Sequence, residues 1–287
     1  MILVVGATGQ LGGLITRILL DRAEPVRVLV RTGSPYDGDA AVEVVTGDLK
    51  DLDSLRKACS GVEAVVTTAN ATDRGGADTI ESVDLAGNAN LIAAAEAEGV
   101  RRFVFVSALG ADPQHPMPLL RAKGETERRL RDSGMTWTVL QPNLFMDKLP
   151  LAVIGPALAG DPVTLVGEGR RRHSLVAMRD VAEYAVAALH REEAEGQTLV
   201  IGGPEPVSWR DVVAAFEHEL GREITVRTVP PGRPVPGLSD LVAGLLASLE
   251  TYDSLIDSSH LSDQYGIRPT TLATFAHDVV TASPHRP

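Results

Sequence analysis

Residues 2–12 read Ile2-Leu3-Val4-Val5-Gly6-Ala7-Thr8-Gly9-Gln10-Leu11-Gly12. Four apolar residues in succession predict a short buried strand that ends at Gly6. Beyond the glycines, Leu14, Ile15, Ile18 and Leu19 recur at helical spacing. Strand, glycine turn and helix in that order suit a dinucleotide's diphosphate. Gly6 allows the tight turn, Gly9 lets main chain approach the ligand closely, and Gly12 lets the helix pack against the strand. The N–H groups and the dipole at the helix start favour an anion. Thr8, Gln10 and Leu11 lie in the same turn and are expected to touch the cofactor. A glycine turn with a purely steric role is the alternative reading of these residues.

The pattern repeats outward from this turn. Val26–Val30, Val42–Val45, Val65–Thr68, Phe103–Val106 and Trp137–Leu140 read as strands. Helical stretches at Leu11–Ala23, around Leu55 and Ala58, at Ala77–Glu98 and at Leu119–Arg131 alternate with them. Continuous apolar strands separated by helices predict an α/β fold, a doubly wound parallel sheet of the Rossmann type covered on both faces. After Pro142 the rhythm loosens around Pro150, Pro156 and Pro162. A helix at Val181–Leu189 and a strand at Leu199–Ile201 are predicted to rejoin the sheet. Further on, a helix at Trp209–Leu220, a strand at Ile224–Val229, a proline-rich loop at Pro230–Pro236 and helices at Leu238–Leu249 and Thr271–Val280 are expected. The predicted organisation is a dinucleotide-binding core over residues 1–147, completed by residues 176–203. Residues 148–175 and 204–287 form a smaller substrate-binding cap.

The cofactor's identity turns on position 31. An acid at the end of the second strand would bond the ribose hydroxyls of NAD and repel a 2′-phosphate. This chain has Arg31 there, followed by Thr32 and Ser34, all donors to phosphate oxygens, so NADP(H) is the expected cofactor. A solvated surface arginine is the alternative. Asp48, with Leu49, stands after the third strand where the adenine would lie; Asp48 reads equally as a helix cap. Thr67, Thr68 and Ala69 end the fourth strand, where small residues admit a ribose. Pro142 and Asn143 end the sixth, beside the expected nicotinamide, and Leu144, Phe145 and Met146 offer an apolar wall.

Composition narrows the function classes. The 287 residues are 44% hydrophobic and 23% charged, ordinary for a globular protein. A formal net charge of −11 repels phosphates and argues against nonspecific nucleic-acid binding. Cys59 is the lone cysteine, so no intrachain disulfide forms. No apolar run approaches a membrane span, and the apolar start reads as a strand without a basic leader, so a cytoplasmic protein with no membrane partner is expected. A monomer or homodimer acting on a small molecule fits these features. Neither a metal-ligand spacing nor a Gly-x-Ser-x-Gly elbow is present.

Gly6–Gly12, Arg31, Gly47-Asp48, the segment Ala86–Ser107 (AGNANLIAAAEAEGVRRFVFVS), Lys123-Gly124-Glu125 and Met178–Ala182 together resemble the NmrA-like group of atypical short-chain dehydrogenases. The resemblance covers most of the chain and is loose beyond Gly202. It implies an NADPH-dependent reductase of quinone, enone or carbonyl compounds, or a regulator that binds dinucleotide without turning it over. It also implies roles for Ser107 and Lys123. Ordinary members pair the serine with Tyr-x-x-x-Lys, in which the lysine lowers a phenol pKa of about 10 so that the phenol passes a proton. Here Leu119 stands where that tyrosine would be, and none of Tyr36, Tyr184, Tyr252 and Tyr265 matches it in sequence. The resemblance then leaves Lys123 to bind the nicotinamide ribose and to act as the acid, with Ser107 polarising the substrate oxygen. Alternatively, the acceptor takes its proton from water. Lys123 also reads as a surface helix lysine, and Ser107 as a strand-end cap. Leu109, His115, Phe145 and His173 are candidate substrate contacts; for His115 a loop histidine without a task is the plainer reading, and core packing explains Phe145 equally well. For His173, which follows Arg170-Arg171-Arg172, a solvated loop is the plainer reading.

Overall fold

The computed structural model describes residues 1–34, 36, 38–71 and 76–283. Along the chain run β1 (Ile2–Val5), α1 (Gln10–Asp21), β2 (Val26–Val30), β3 (Glu43–Thr46), α2 (Leu52–Cys59) and β4 (Ala64–Thr67). A π-helical turn (Ile80–Leu85), α3 (Ala86–Ala97), β5 (Arg102–Val106), α4 (Pro118–Arg131) and β6 (Thr136–Pro142) follow. Then come α5 (Leu149–Leu158), β7 (Val163–Val166), α6 (Met178–His190), β8 (Gln197–Ile201) and α7 (Trp209–Leu220). The chain closes with β9 (Val226–Val229), α8 (Asp240–Leu249), α9 (Ser259–Tyr265) and α10 (Leu272–Ala282). It forms two compact units: Met1–Pro142 with Val181–Val200, and Asn143–Asp180 with Ile201 onward.

The first unit carries a seven-stranded sheet in the order β3-β2-β1-β4-β5-β6-β8. From β3 through β6 every neighbouring pair is parallel. The chain leaves β1 toward β2 and β3, then returns to the other side of β1 with β4. Strand order therefore reverses at β1/β4, and a crevice opens at the carboxyl ends of those strands. The register sets the consequence: Val5 lies beside Leu29 and Thr67, Val30 beside Thr46, and Thr67 beside Phe105. Gly6, Arg31, Gly47, Thr68 and Ser107, each next or nearly next along its own strand, thus share one edge of the sheet.

Helix α1 buries Leu11, Gly12, Ile15, Thr16 and Leu19 on one face. A Cβ at Gly12 would fall 2.2 Å from the Gly6 carbonyl oxygen and 3.0 Å from Ala7 Cα, so only glycine lets the helix sit this close to the turn. On the sheet's other side α2 and α3 pack through Leu55, Cys59, Leu91 and Ile92, all buried with Val65 and Phe103 in one core. Burial pushes the Cys59 thiol up to about 12, which makes it inert packing.

Four elements differ from the sequence reading. The predicted helix at Ala77–Glu98 begins only at Ile80, because the Thr79 and Ser82 hydroxyls close a reciprocal cap there. Its first six residues form a π-helical turn, whose wide winding releases carbonyls from the α-helical ladder. Asn88 Nδ2 reaches the carbonyls of Val83 and Asp84, and Thr126 Oγ1 donates to that of Asp84. Helix α5 was not expected between prolines. Pro150 stands in its first turn, where a missing N–H costs nothing, and Pro156 in its last. The short strand β7 and helix α9 were likewise not predicted.

The second unit has its own core, in which Trp209, Val212, Phe216, Leu246 and Phe275 pack with Val163 and Leu165. Phe216 and Phe275 meet edge-on with centroids 6.5 Å apart. Strands β7 and β9 pair in parallel beneath these helices. Among the described residues no helix is long and apolar enough to cross a membrane.

Replacing Gly12 by alanine forces the methyl into the Gly6 carbonyl, so α1 must retreat from β1. Gly12→Ala is expected to cost about 3 kcal/mol, checked as a lowered urea midpoint at an unchanged slope.

Candidate functional site

The turn after β1 is built to receive an anion. Gly6 adopts φ +92°, a left-handed conformation in which a side chain would also meet Thr68 Oγ1 at 2.6 Å. Gly9 N–H donates to the Gly6 carbonyl at 3.0 Å, which closes the turn and makes Gly9 the N-cap of α1. No side chain caps this helix and no acid stands in its first turn. The N–H groups of Gln10, Leu11 and Gly12 therefore have no helical partner and add to the positive end of the dipole. Thr8, Gly9 and Gln10 are exposed, while Leu11 is buried as the helix's anchor. Opposite, Thr67 is buried with Oγ1 between Ala69 N and Asn88 Oδ1, and Thr68 N–H bonds the Val5 carbonyl. These features fit a dinucleotide diphosphate: close main chain, free donors, and no space for a Cβ.

From this turn a crevice leads along the sheet edge past Val5, Gly6, Thr8, Leu29, Arg31, Gly47 and Leu49. Beside it, sharing Arg31 and Gly47, lies a cavity of about 380 Å³ lined also by Thr32, Gly33, Ser34, Thr46, Asp48, Asp51 and Ser54. Arg31 is not simply a solvated arginine: its Nη1 donates to Asp78 at 2.8 Å. Nor is Asp48 the cap of α2. Asp51 fills that place, accepting from the N–H groups of Asp53 and Ser54, and Asp48 instead accepts from its neighbour Lys50 N–H. Leu49 is buried beneath, with its carbonyl held by Asn90 Nδ2.

A second polar cluster lies under the carboxyl end of β5. Lys123 is only 6% exposed, which sets aside the reading of a surface lysine. Its Nζ donates to the Val106 carbonyl at 3.0 Å and lies 5.0 Å from the Phe105 ring centroid. Burial lowers its pKa below the usual lysine range, with the charges of Asp84 and Glu127 opposing that shift. Ser107 caps no turn of its own. Its Oγ donates to Glu127 Oε1 at 2.5 Å. Glu127, 2% exposed, also accepts from Gln141 Nε2 at 2.9 Å and Arg131 Nη2 at 2.8 Å.

Sequence reading gave no part to Glu127 or Asp84, and set Gln141 only at the end of the sixth strand. For Glu127 a signal existed, since it follows Lys123 by four residues and so shares its helix face. Asp84 carried none, because only the π-helical turn brings it into the interior. Leu119 is half-buried at the N-terminal end of α4. Of the loop residues, Leu109 N–H bonds the Pro142 carbonyl, and His115 Nδ1 accepts from Met117 N–H.

Asn143, Phe145 and His173 belong to the second unit. His173 does not lie in a solvated loop; it is 1% exposed. Its Nδ1 meets Ser254 Oγ at 2.8 Å, and Asn143 Nδ2 reaches the same hydroxyl at 3.1 Å. The Tyr252 ring stands edge-on to the imidazole. Burial lowers the His173 pKa, with the Leu249 carbonyl and the acids Asp253 and Glu250 acting in the other direction. Phe145 is half-buried, paired through its backbone with Val176. The basic run before His173 is spent locally: Arg170 on Glu168, Arg171 on Asp253 and Arg172 on the Pro206 carbonyl.

Fold and turn together define a dinucleotide-binding protein of the Rossmann class. The profile of the NAD(P)H-binding family matches residues 6–192, and the chain belongs to that family, among its NmrA-like atypical short-chain reductases. An NAD(P)H azoreductase of Xenophilus azovorans is 34% identical over 227 residues, 78% of this chain and 75% of the relative. The photosystem II assembly factor Ycf39 of Synechocystis is 30% identical over 80% of this chain and 70% of its own. Among solved structures, the NADPH-dependent quinone oxidoreductase QOR2 of Escherichia coli, complexed with NADPH, superposes with a TM-score of 0.79. That match is at 25% identity and covers 97% of this chain and 99% of the other.

Glu127 is the common acceptor of three donors; removing it takes that acceptor from Ser107 and Gln141, while Arg131 keeps Thr198 and solvent. Glu127→Leu is expected to cost about 3 kcal/mol, read as a lowered denaturation midpoint. The partner substitution Arg131→Met, at a half-exposed side chain, should cost about 1 kcal/mol or less.

Proposed function

We propose that the chain is an NADPH-dependent reductase of a small, largely apolar carbonyl, enone or quinone. The observation that carries this reading is the buried Lys123, fastened to the last carbonyl of β5, one residue from Ser107, with its pKa depressed by burial. Burial there favours loss of the ammonium proton, which suits a proton donor. Gly6, Gly9, Gly12 and the N–H groups of α1 would hold the diphosphate, Arg31 a 2′-phosphate, and Thr67, Thr68 and Ala69 the ribose side. NADPH, when bound, supplies the hydride.

The protein's own residues bind, orient and protonate. Lys123 commits one N–H to Val106, which leaves two for a ribose hydroxyl and for the substrate oxygen. The depressed pKa makes it a stronger acid than a solvated lysine, which offsets part of the loss of the phenol that Leu119 replaces. Ser107 takes a different part from the carbonyl-polarising donor expected from sequence. Its single hydroxyl proton goes to Glu127, so it meets any ligand as an acceptor. Within the first unit Pro142 would border the nicotinamide, and Leu109 and His115 the substrate.

One arrangement favours a second reading, a dinucleotide-binding regulator that performs no redox step. Neither Leu119 nor Ser107 is free to donate, which leaves one proton donor of the three that ordinary relatives use. The likeness to an assembly factor agrees with it.

NADPH oxidation, followed by absorbance against a panel of quinones, enones and ketones, separates the two. Turnover of at least one acceptor, lowered about 10²- to 10⁴-fold by Lys123→Ala, is the expected result. Tight NADPH binding without turnover on any acceptor identifies the regulator. The lysine acts in its protonated form, so activity should hold at low pH and fall as pH rises through its pKa. Because burial lowers that pKa, the descending limb lies below about 10.4. It should vanish from the residual activity of Lys123→Ala.

A further inference from the structure

Beside the cavity at the end of β2, Asp78 joins two cations among the described residues. Its Oδ2 accepts from Arg31 Nη1 at 2.8 Å and its Oδ1 from Lys50 Nζ at 2.6 Å. The carboxylate is the buried member, with a side chain 5% exposed, while the two cations are 41% and 40% exposed. Lys50 also approaches Asp48 Oδ2 at 3.6 Å. Among the described residues, Asp78 is Arg31's acceptor through Nη1 alone, so Nε and Nη2 keep their donors for a ligand. Lys50 Nζ donates to Asp78 and only approaches Asp48, so it still has N–H groups to spare.

The charges around this cavity do not suit a lone arginine. Asp48 and Asp51 line it together with Arg31, and Asp78 stands behind. Counted over the described residues, Arg31 alone would offer one positive charge to a phosphate dianion against three nearby carboxylates. With Lys50 the jaws carry two cations, held side by side by a shared carboxylate instead of repelling one another apart. Such a pair matches a phosphomonoester, which has three acceptor oxygens and close to two negative charges.

We propose that Lys50 is a specificity-determining residue, the second cation of a two-jawed site for the 2′-phosphate of NADP(H), positioned against Arg31 by Asp78. This rests on the reading of Arg31 as the 2′-phosphate residue and adds what makes that site workable in an acidic setting. Asp78 does not have to leave when the phosphate enters, because neither cation is saturated by it. The pair discriminates by charge: NAD(H), with a neutral hydroxyl in that position, offers Lys50 an acceptor but no anion to pair with.

The test is calorimetric binding of NADP⁺, NAD⁺ and 2′-AMP to the full chain, for wild type, Lys50→Met, Lys50→Arg and Arg31→Leu. Wild type is expected to prefer NADP⁺. Lys50→Met should weaken NADP⁺ and 2′-AMP about tenfold, the lower range for a charge-assisted hydrogen bond at a half-exposed site. NAD⁺ should stay within about twofold of wild type, which also reports that the variant is folded. Lys50→Arg should retain most of the preference, and added salt should narrow the gap between wild type and Lys50→Met. If Lys50→Met keeps the wild-type NADP⁺ preference while Arg31→Leu loses it, the second jaw is wrong and the arginine's role stands. A wild type that binds NAD⁺ as tightly as NADP⁺, or binds neither, overturns both.

Discussion

The contact between Gly12 and the Gly6 carbonyl is the constraint on which the rest of the first unit hangs. With 2.2 Å available where a Cβ would sit, helix α1 is drawn against the turn that ends β1. The same closeness aims the first N–H groups of the helix across the carboxyl edge of the sheet, into the crevice where strand order reverses. A residue any larger would move the helix, and the donors with it. One steric fact thus serves packing and anion binding together, because both ask that backbone meet backbone without side chains between.

Around that turn the protein handles charge in two opposite ways. At the end of β2 the cations Arg31 and Lys50 face solvent and their acid is buried, so the positive groups are presented to whatever enters. Beneath β5 the lysine itself is buried, and Asp84 and Glu127 sit within its electrostatic reach. The first arrangement favours binding an anion. The second makes an ammonium ready to lose its proton. Glu127 links this cluster to the sheet, taking donors from β6 through Gln141, from the β5 end through Ser107, and from its own helix through Arg131.

The fold was legible because parallel strands buried on both faces leave uninterrupted apolar runs, and because glycines punctuate the first of them. Strand positions at Ile2–Val5 and Val26–Val30 coincide with the observed ones for that reason. Helix α5 was hidden because proline looks like a breaker wherever it falls, although its cost depends on the turn it occupies. The start of the alanine-rich helix was misplaced because alanine favours helix throughout. The cap formed by Thr79 and Ser82 is a local bond that outweighs that preference.

The sequence by itself determined the class of fold, the glycine turn and the identities of Arg31, Ser107 and Lys123 as groups worth attention. Those follow from patterns along one strand or one helix, where spacing in the chain is spacing in the molecule. Only the tertiary structure decided that Lys123 is out of water, that Ser107 spends its proton on Glu127, and that Lys50 and Arg31 share Asp78. Likewise, it alone revealed that His173 is enclosed beside Ser254. Each of these is a meeting of residues from different elements. Protonation, solvation and charge pairing depend on distance through space, and the order of residues along a chain does not contain it.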